Sequence, residues 1–173
     1  MTLQDGDIIL VKVNSFSTWY RQAFAKLIQF FDGVYYHHAQ IVFGGYLWEA
    51  NERVESHHFA KNAGDEVLIL RLKQPLTEIE RALVRNEIMK SNGKQYDYWG
   101  AMLHQLIYIL LFRRVWIGRR GRRADHKPYC TELVTSIMHQ VRGYFPEHYK
   151  VGPSKLITQA PLYYEVIYEG VWR

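Results

Sequence analysis

One cysteine, Cys130, stands in a chain of 173 residues, so no disulfide can close within it. That agrees with a reducing compartment and removes the thiolate clusters of structural zinc sites. Long apolar runs are missing too. The most apolar stretch, AMLHQLIYILLF at 101–112, falls well short of the roughly 20 residues a membrane-spanning helix requires, and His104 and Gln105 interrupt it. The start, MTLQDGDIILVKV, has no basic flank, and Asp5-Gly6-Asp7 stands where the apolar run of a secretory signal would be. A cytosolic protein is expected. No glycine-rich turn follows a strand, which leaves nucleotides without a seat, and no cofactor is expected. Repeats and low-complexity tracts are absent as well.

What is present is enough apolar material for one core: 48% of residues are hydrophobic and 15% aromatic. The chain is too short for two ordinary domains, so residues 1–173 are read as one. Its net charge of +5 is unevenly spread. Six arginines and no acid fall between Arg113 and Arg123, a run that suits anionic lipid head groups, an acidic substrate or plain solvent. Beside it, 101–112 reads as a buried helix or as an interfacial segment, which would give peripheral membrane contact through the arginines. Nucleic acid is disfavoured, because the basic residues form one short loop and no recognition motif accompanies them.

Along the chain, DIILVKV reads as a buried strand entered through a turn, and Ser15 to about Phe31 as a capped helix. HHAQIVF and YLWEA flank Gly44-Gly45 as a hairpin; EVLILRL follows a polar loop as a further strand. Thr77 with Glu80 three residues on makes a capping box for a helix ending near Asn92-Gly93. Residues 99–112 and Cys130 to about Val141 read as helices, the second closed by Gly143 and Pro146, and YYEVIY as a last strand. Strands and helices do not alternate strictly, which predicts an α+β fold with a mostly antiparallel sheet.

Pro128 and Tyr129 place Cys130 in the first turn of its helix. There, unpaired backbone N–H groups and the positive end of the helix dipole favour a thiolate, and could hold an oxyanion. The plainer fate of such a cysteine is a small packed hydrophobe. A nucleophilic thiol needs a base, and of the eight histidines His38 differs by opening a strand that can aim it, whereas His57 and His58 lie in the polar loop. A hairpin centred on Gly44-Gly45 makes facing residues sum to about 89, by the residue pairing of an antiparallel ladder. His38 then lies opposite Asn51 and diagonal to Glu49, either of which can accept the second N–H of the imidazole. No metal is expected: His37-His38 and His57-His58 are adjacent pairs, whose side chains point to opposite faces of a strand.

The series GDIILV, HHAQIVF, LWEA, YCTELV and VGPSKL resembles the permuted NlpC-type papain-like superfamily, in its YiiX-like branch related to the lecithin:retinol acyltransferases. In that family a strand opening Gly-Asp comes first, a Ser-His or similar pair opens the next, Glu-Ala ends its partner, and a Cys-Ser-Glu-Leu-like motif starts a late helix. His37 and Thr131 replace serines common in the family, and neither change removes a group the chemistry needs. The resemblance implies a circularly permuted papain-like fold, with Cys130 as nucleophile, His38 as general base and Glu49 as polar third member. Tyr129 and the Cys130 N–H would then lie near the oxyanion site. It implies acyl transfer, with hydrolysis of an amide bond in a peptide or cell-wall-like substrate as the leading reading. The alternatives are a lipid acyltransferase or phospholipase at an anionic membrane, and a catalytically idle module of the same fold that binds a small ligand.

Overall fold

The computed structural model describes residues 1–12, 26, 35–36, 38–95, 128–148 and 151–173. Among them, six strands form one antiparallel sheet: β1 (Ile8–Lys12), β2 (His38–Phe43), β3 (Tyr46–Ala50), β4 (Val54–His57), β5 (Glu66–Leu72) and β6 (Tyr164–Val171), in the order β4-β3-β2-β1-β5-β6. Three helices accompany it: α1 (Glu78–Ser91), α2 (Cys130–Arg142) and α3 (Pro153–Gln159). This is the α+β class with an antiparallel sheet that the sequence predicts.

Strand alternation divides the apolar residues between two faces. Ile8, Leu10, Ala39, Ile41 and Trp48 face the helices, where they pack with Val84 and Ile88 of α1, Leu133, Val134, Ile137 and Met138 of α2, and Leu156 of α3. The opposite face carries Ile9, Val11, Val42, Leu47, Val67 and Ile69, covered by Phe59 and by Ile167, Tyr168 and Trp172. The central strands β1 and β5 are therefore buried on both sides, which is why IILV and VLIL read as unbroken apolar runs.

Local chemistry sets the boundaries. Gly44 and Gly45 both take positive φ, 61° and 80°, and pair Phe43 with Tyr46 across a two-residue turn. At the start of α1, the Glu80 N–H donates to Thr77 Oγ1 (3.3 Å) and the Thr77 N–H to Glu80 Oε2 (2.8 Å), the capping box in full. α2 closes on Gly143, left-handed at φ 69°. Arg142 ties that end to the start of α1: Nε and Nη2 donate to the Glu80 carboxylate (2.7 and 2.8 Å), and Nη1 and Nη2 to the carbonyls of Gln74 and Pro75.

The polar loop expected after β3 is instead β4 followed by a 3₁₀ turn, Phe59–Asn62. VESH carries little apolar signal, so its strand state comes from pairing with β3, in the register Leu47↔His57 to Ala50↔Val54. The predicted helix at 15–31, the segment 99–112 and the arginine run 113–123 lie outside the described residues. Among the described residues, no helix is long and apolar enough to cross a membrane.

Candidate active site

The site forms where the first residue of β2 meets the first residue of α2. The β2–β3 register is Gln40↔Glu49, the sum of 89 that the glycine turn dictates, and it leaves His38 diagonal to Glu49 on one face of the sheet. His38 Nε2 lies 2.8 Å from Glu49 Oε2. The side chain of His38 also hydrogen-bonds that of Cys130. With Nε2 engaged by Glu49, Nδ1 is the nitrogen left for the thiol. Of the two orienting candidates it is therefore Glu49, rather than Asn51, that occupies Nε2.

Cys130 is the first residue of α2 and is 6% exposed. Tyr129 is the N-cap residue and makes no side-chain cap, so the opening turn receives no cap from that side chain. Burial works against a Cys130 thiolate, but the His38 imidazolium and the backbone N–H groups of Ala39 and Thr131 outweigh it and lower the thiol pKa. Burial likewise opposes the imidazolium. The charge of Glu49 and the hydrogen bonds to Cys130 and Glu49 prevail, raising the His38 pKa to about 10. Both shifts run in the direction that favours a thiolate–imidazolium pair over the neutral pair.

Glu49 is 1% exposed, so its charge must be met from within the protein. Oε2 takes His38 and the Gln40 amide (2.5 Å); Oε1 takes the Lys61 ammonium. Desolvation raises the carboxyl pKa, yet His38 and Lys61 together hold it well below the usual range. A buried amide pair braces the arrangement: Asn62 Nδ2 donates to Gln40 Oε1 (2.7 Å), and Gln40 Nε2 reaches Asn62 Oδ1 at 3.3 Å.

His57 is no loop residue. It ends β4 with Nε2 at 3.3 Å from Glu49 Oε1 and 3.1 Å from Glu55 Oε1. Donor atoms of Glu49, Glu55 and His57 lie within 4.8 Å of one another, a grouping of metal-ligand type that comes from cross-strand partners and not from the adjacent histidines. A dication does not fit there as the site stands, because the Lys61 ammonium already holds Glu49 Oε1 and supplies the positive charge.

Sequence reasoning therefore places Cys130, His38 and Glu49, and the structure brings all three together. It misses Gln40, Lys61, Asn62 and His57. Gln40 carried the one available signal, a polar residue inside the otherwise apolar run AQIVF, facing Glu49 in the predicted register.

No protein-family model matches the chain, and no curated protein does either. A solved structure does: the metalloprotein YiiX from Escherichia coli O157:H7, DUF1105. The TM-score is 0.61 at 17% identity, with 96% of this chain and 97% of that one covered. The likeness is one of fold, distant in sequence, and it spans the YiiX-like architecture expected from the sequence.

Proposed function

We propose that the protein is a thiol-dependent hydrolase working by acyl transfer, with Cys130 as nucleophile, His38 as general acid and base, and Glu49 as the group that orients the imidazole. The observation that carries this reading is the continuous chain from Cys130 through His38 to Glu49, with the imidazole 2.8 Å from a buried carboxylate. Structural cysteines are seldom given a charged imidazole and two backbone donors. The distant YiiX-like fold is consistent with a hydrolase.

In the proposed reaction the Cys130 thiolate attacks the carbonyl carbon of an amide, and the carbonyl electrons move to oxygen. Backbone N–H groups at the start of α2, beside Tyr129, face the developing oxyanion. The tetrahedral intermediate collapses as the His38 imidazolium gives its proton to the leaving nitrogen, and an amine departs from a thioester on Cys130. Neutral His38 then takes a proton from water, whose oxygen attacks the thioester. The acid leaves and the thiolate–imidazolium pair returns. An amide of a peptide or cell-wall-like substrate is the proposed class, resting on the sequence resemblance.

The test is the rate of Cys130 alkylation by iodoacetamide from about pH 4 to about pH 9, beside the same curve for His38→Ala. A thiol that reacts well below its ordinary pKa of about 8.5, and loses that reactivity with His38, supports the reading and licenses a screen of amide and ester substrates. A slow curve indifferent to His38 removes the hydrolase reading and leaves a ligand-binding module.

A further inference from the structure

The carboxylate that orients His38 is shared. Glu49 Oε2 faces His38 and Gln40, while Oε1 faces Lys61, with His57 close by. An orienting carboxylate with one neighbour would put all its charge on the imidazole, and a very stable imidazolium is a poor proton donor to a leaving group. Here a second cation draws on the same charge. It comes from the 3₁₀ turn Phe59–Asn62, which is anchored in three ways: Phe59 packs on the sheet face that also carries Gln40 and Glu49, Asn62 locks to Gln40, and the His58 side chain caps the turn through the Ala60 N–H. The turn thus fixes the carboxylate plane through Gln40 and Asn62 and delivers Lys61 to the oxygen that His38 does not use.

We propose that Lys61 is a positioning and charge-limiting residue of the proposed acyl-transfer site, holding Glu49 Oε1 so that Oε2 is presented to His38 and moderating how strongly Glu49 favours the imidazolium. The inference rests on the Cys130–His38–Glu49 reading. Among the described residues, the charged and titratable groups around Glu49 and its partner His38 are His38 on β2, Glu55 and His57 on β4, Lys61 on the turn and Cys130 on α2. Among these, Lys61 supplies the permanent cation. At 36% side-chain exposure it can be replaced without opening a void in the core.

The experiment follows the ring resonances of His38 by NMR against pH, in Cys130→Ala protein and in the same protein with Lys61→Met, Lys61→Gln or Lys61→Arg. The His38 signal is identified by its loss on His38→Ala. Without the Cys130 thiol, His38 loses one of the groups that favour its charged form and titrates at lower pH. Lys61→Met and Lys61→Gln should each raise the His38 midpoint by about one pH unit, as expected for a cation removed at this range in a partly screened site. Lys61→Arg should return it to within a few tenths of a unit. A lysine that served only to hold the turn would lower the melting temperature and leave the midpoint in place. A midpoint that stays or falls in both neutral variants overturns the proposal. The iodoacetamide curve of the unaltered protein separates this failure from that of the hydrolase reading: low-pH reactivity with an unmoved midpoint overturns the role of Lys61 alone, and absence of that reactivity overturns both.

Discussion

Gln40 and Glu49 face each other across the β2–β3 ladder with the Gln40 amide 2.5 Å from Glu49 Oε2, and that single register decides which oxygen His38 meets. A one-residue slip would send Glu49 to the helix-covered face and His38 to an apolar neighbour. The two glycines at positive φ that fix the turn are thus part of the site although they lie far from the thiol.

Glu49→Gln keeps the side-chain shape and removes the charge. The imidazolium loses its principal support, so the low-pH thiolate should diminish. Alkylation of Cys130 at about pH 6 should fall by about tenfold or more, for one pKa unit or more lost from the pair. Cys130→Ala should abolish alkylation with little change in folding, and His38→Ala should cost more reactivity than Glu49→Gln. Equal rates in Glu49→Gln and the unaltered protein would show that the carboxylate does not govern the pair.

How much of this was legible beforehand follows from where each signal resides. The hairpin, the capping box at Thr77 and the helix beginning at Cys130 are written in local chemistry, and the first and last of these bring His38, Glu49 and Cys130 into range. In the sequence β4 reads as loop, because VESH has one apolar residue and its pairing partner, β3, supplies the rest. Lys61 and Asn62 looked like ordinary loop polars. Their meaning depends on a turn folding back over a particular sheet face, a tertiary fact with no periodicity to announce it. Arg142 and Glu80 are 62 residues apart, and no local pattern links them.

The pH dependence of stability has a worked sign. His38, raised to about 10, contributes stability that is full below its ordinary value of about 6.5 and is lost as pH rises through the folded value. Cys130, lowered, contributes stability that is full only above its ordinary range near 9. Between about pH 7 and about pH 9 the first loss and the second gain offset, because folded and unfolded chains carry the same number of protons on this pair. Urea unfolding should therefore show little pH dependence from the pair in that interval. In Cys130→Ala only the His38 contribution remains, and stability should decline by up to about 1.4 kcal/mol per pH unit as the pH rises above about 6.5. Parallel curves for the two proteins would count against the ion pair. Below about pH 4.5 both should weaken further as Glu49, held low by His38 and Lys61, is forced to protonate.

Gly6 tests the entry to the sheet. Its φ is 91°, and a Cβ there would lie 2.6 Å from Leu72 Cδ1, a side chain only 5% exposed. Gly6→Ala should destabilise by about 1–3 kcal/mol through backbone strain and overpacking. The alkylation rate of the folded fraction should not change, since Gly6 does not touch the site. A variant of normal stability would mean that the Asp5–Asp7 turn relaxes without cost.

The Arg142 junction holds the frame on which Cys130 rides. One guanidinium meets the Glu80 carboxylate twice and two backbone carbonyls besides, with its side chain 9% exposed. Glu80 responds: the hydrogen bond from Arg142 prevails over desolvation, and Thr77 adds to it, so its pKa falls to about 2. Removing the guanidinium leaves the Glu80 carboxylate with only the Thr77 donors and takes a charged donor from each of two carbonyls. Arg142→Met should cost about 2–4 kcal/mol in urea unfolding, and Arg142→Lys should recover only part of it, because a point charge cannot serve a carboxylate and two carbonyls at once. Glu80→Gln combined with Arg142→Met should cost less than the sum of the single changes, since each removes the same contact. Additive costs would show that the two ends are stabilised independently and that α2 is positioned by its apolar face alone.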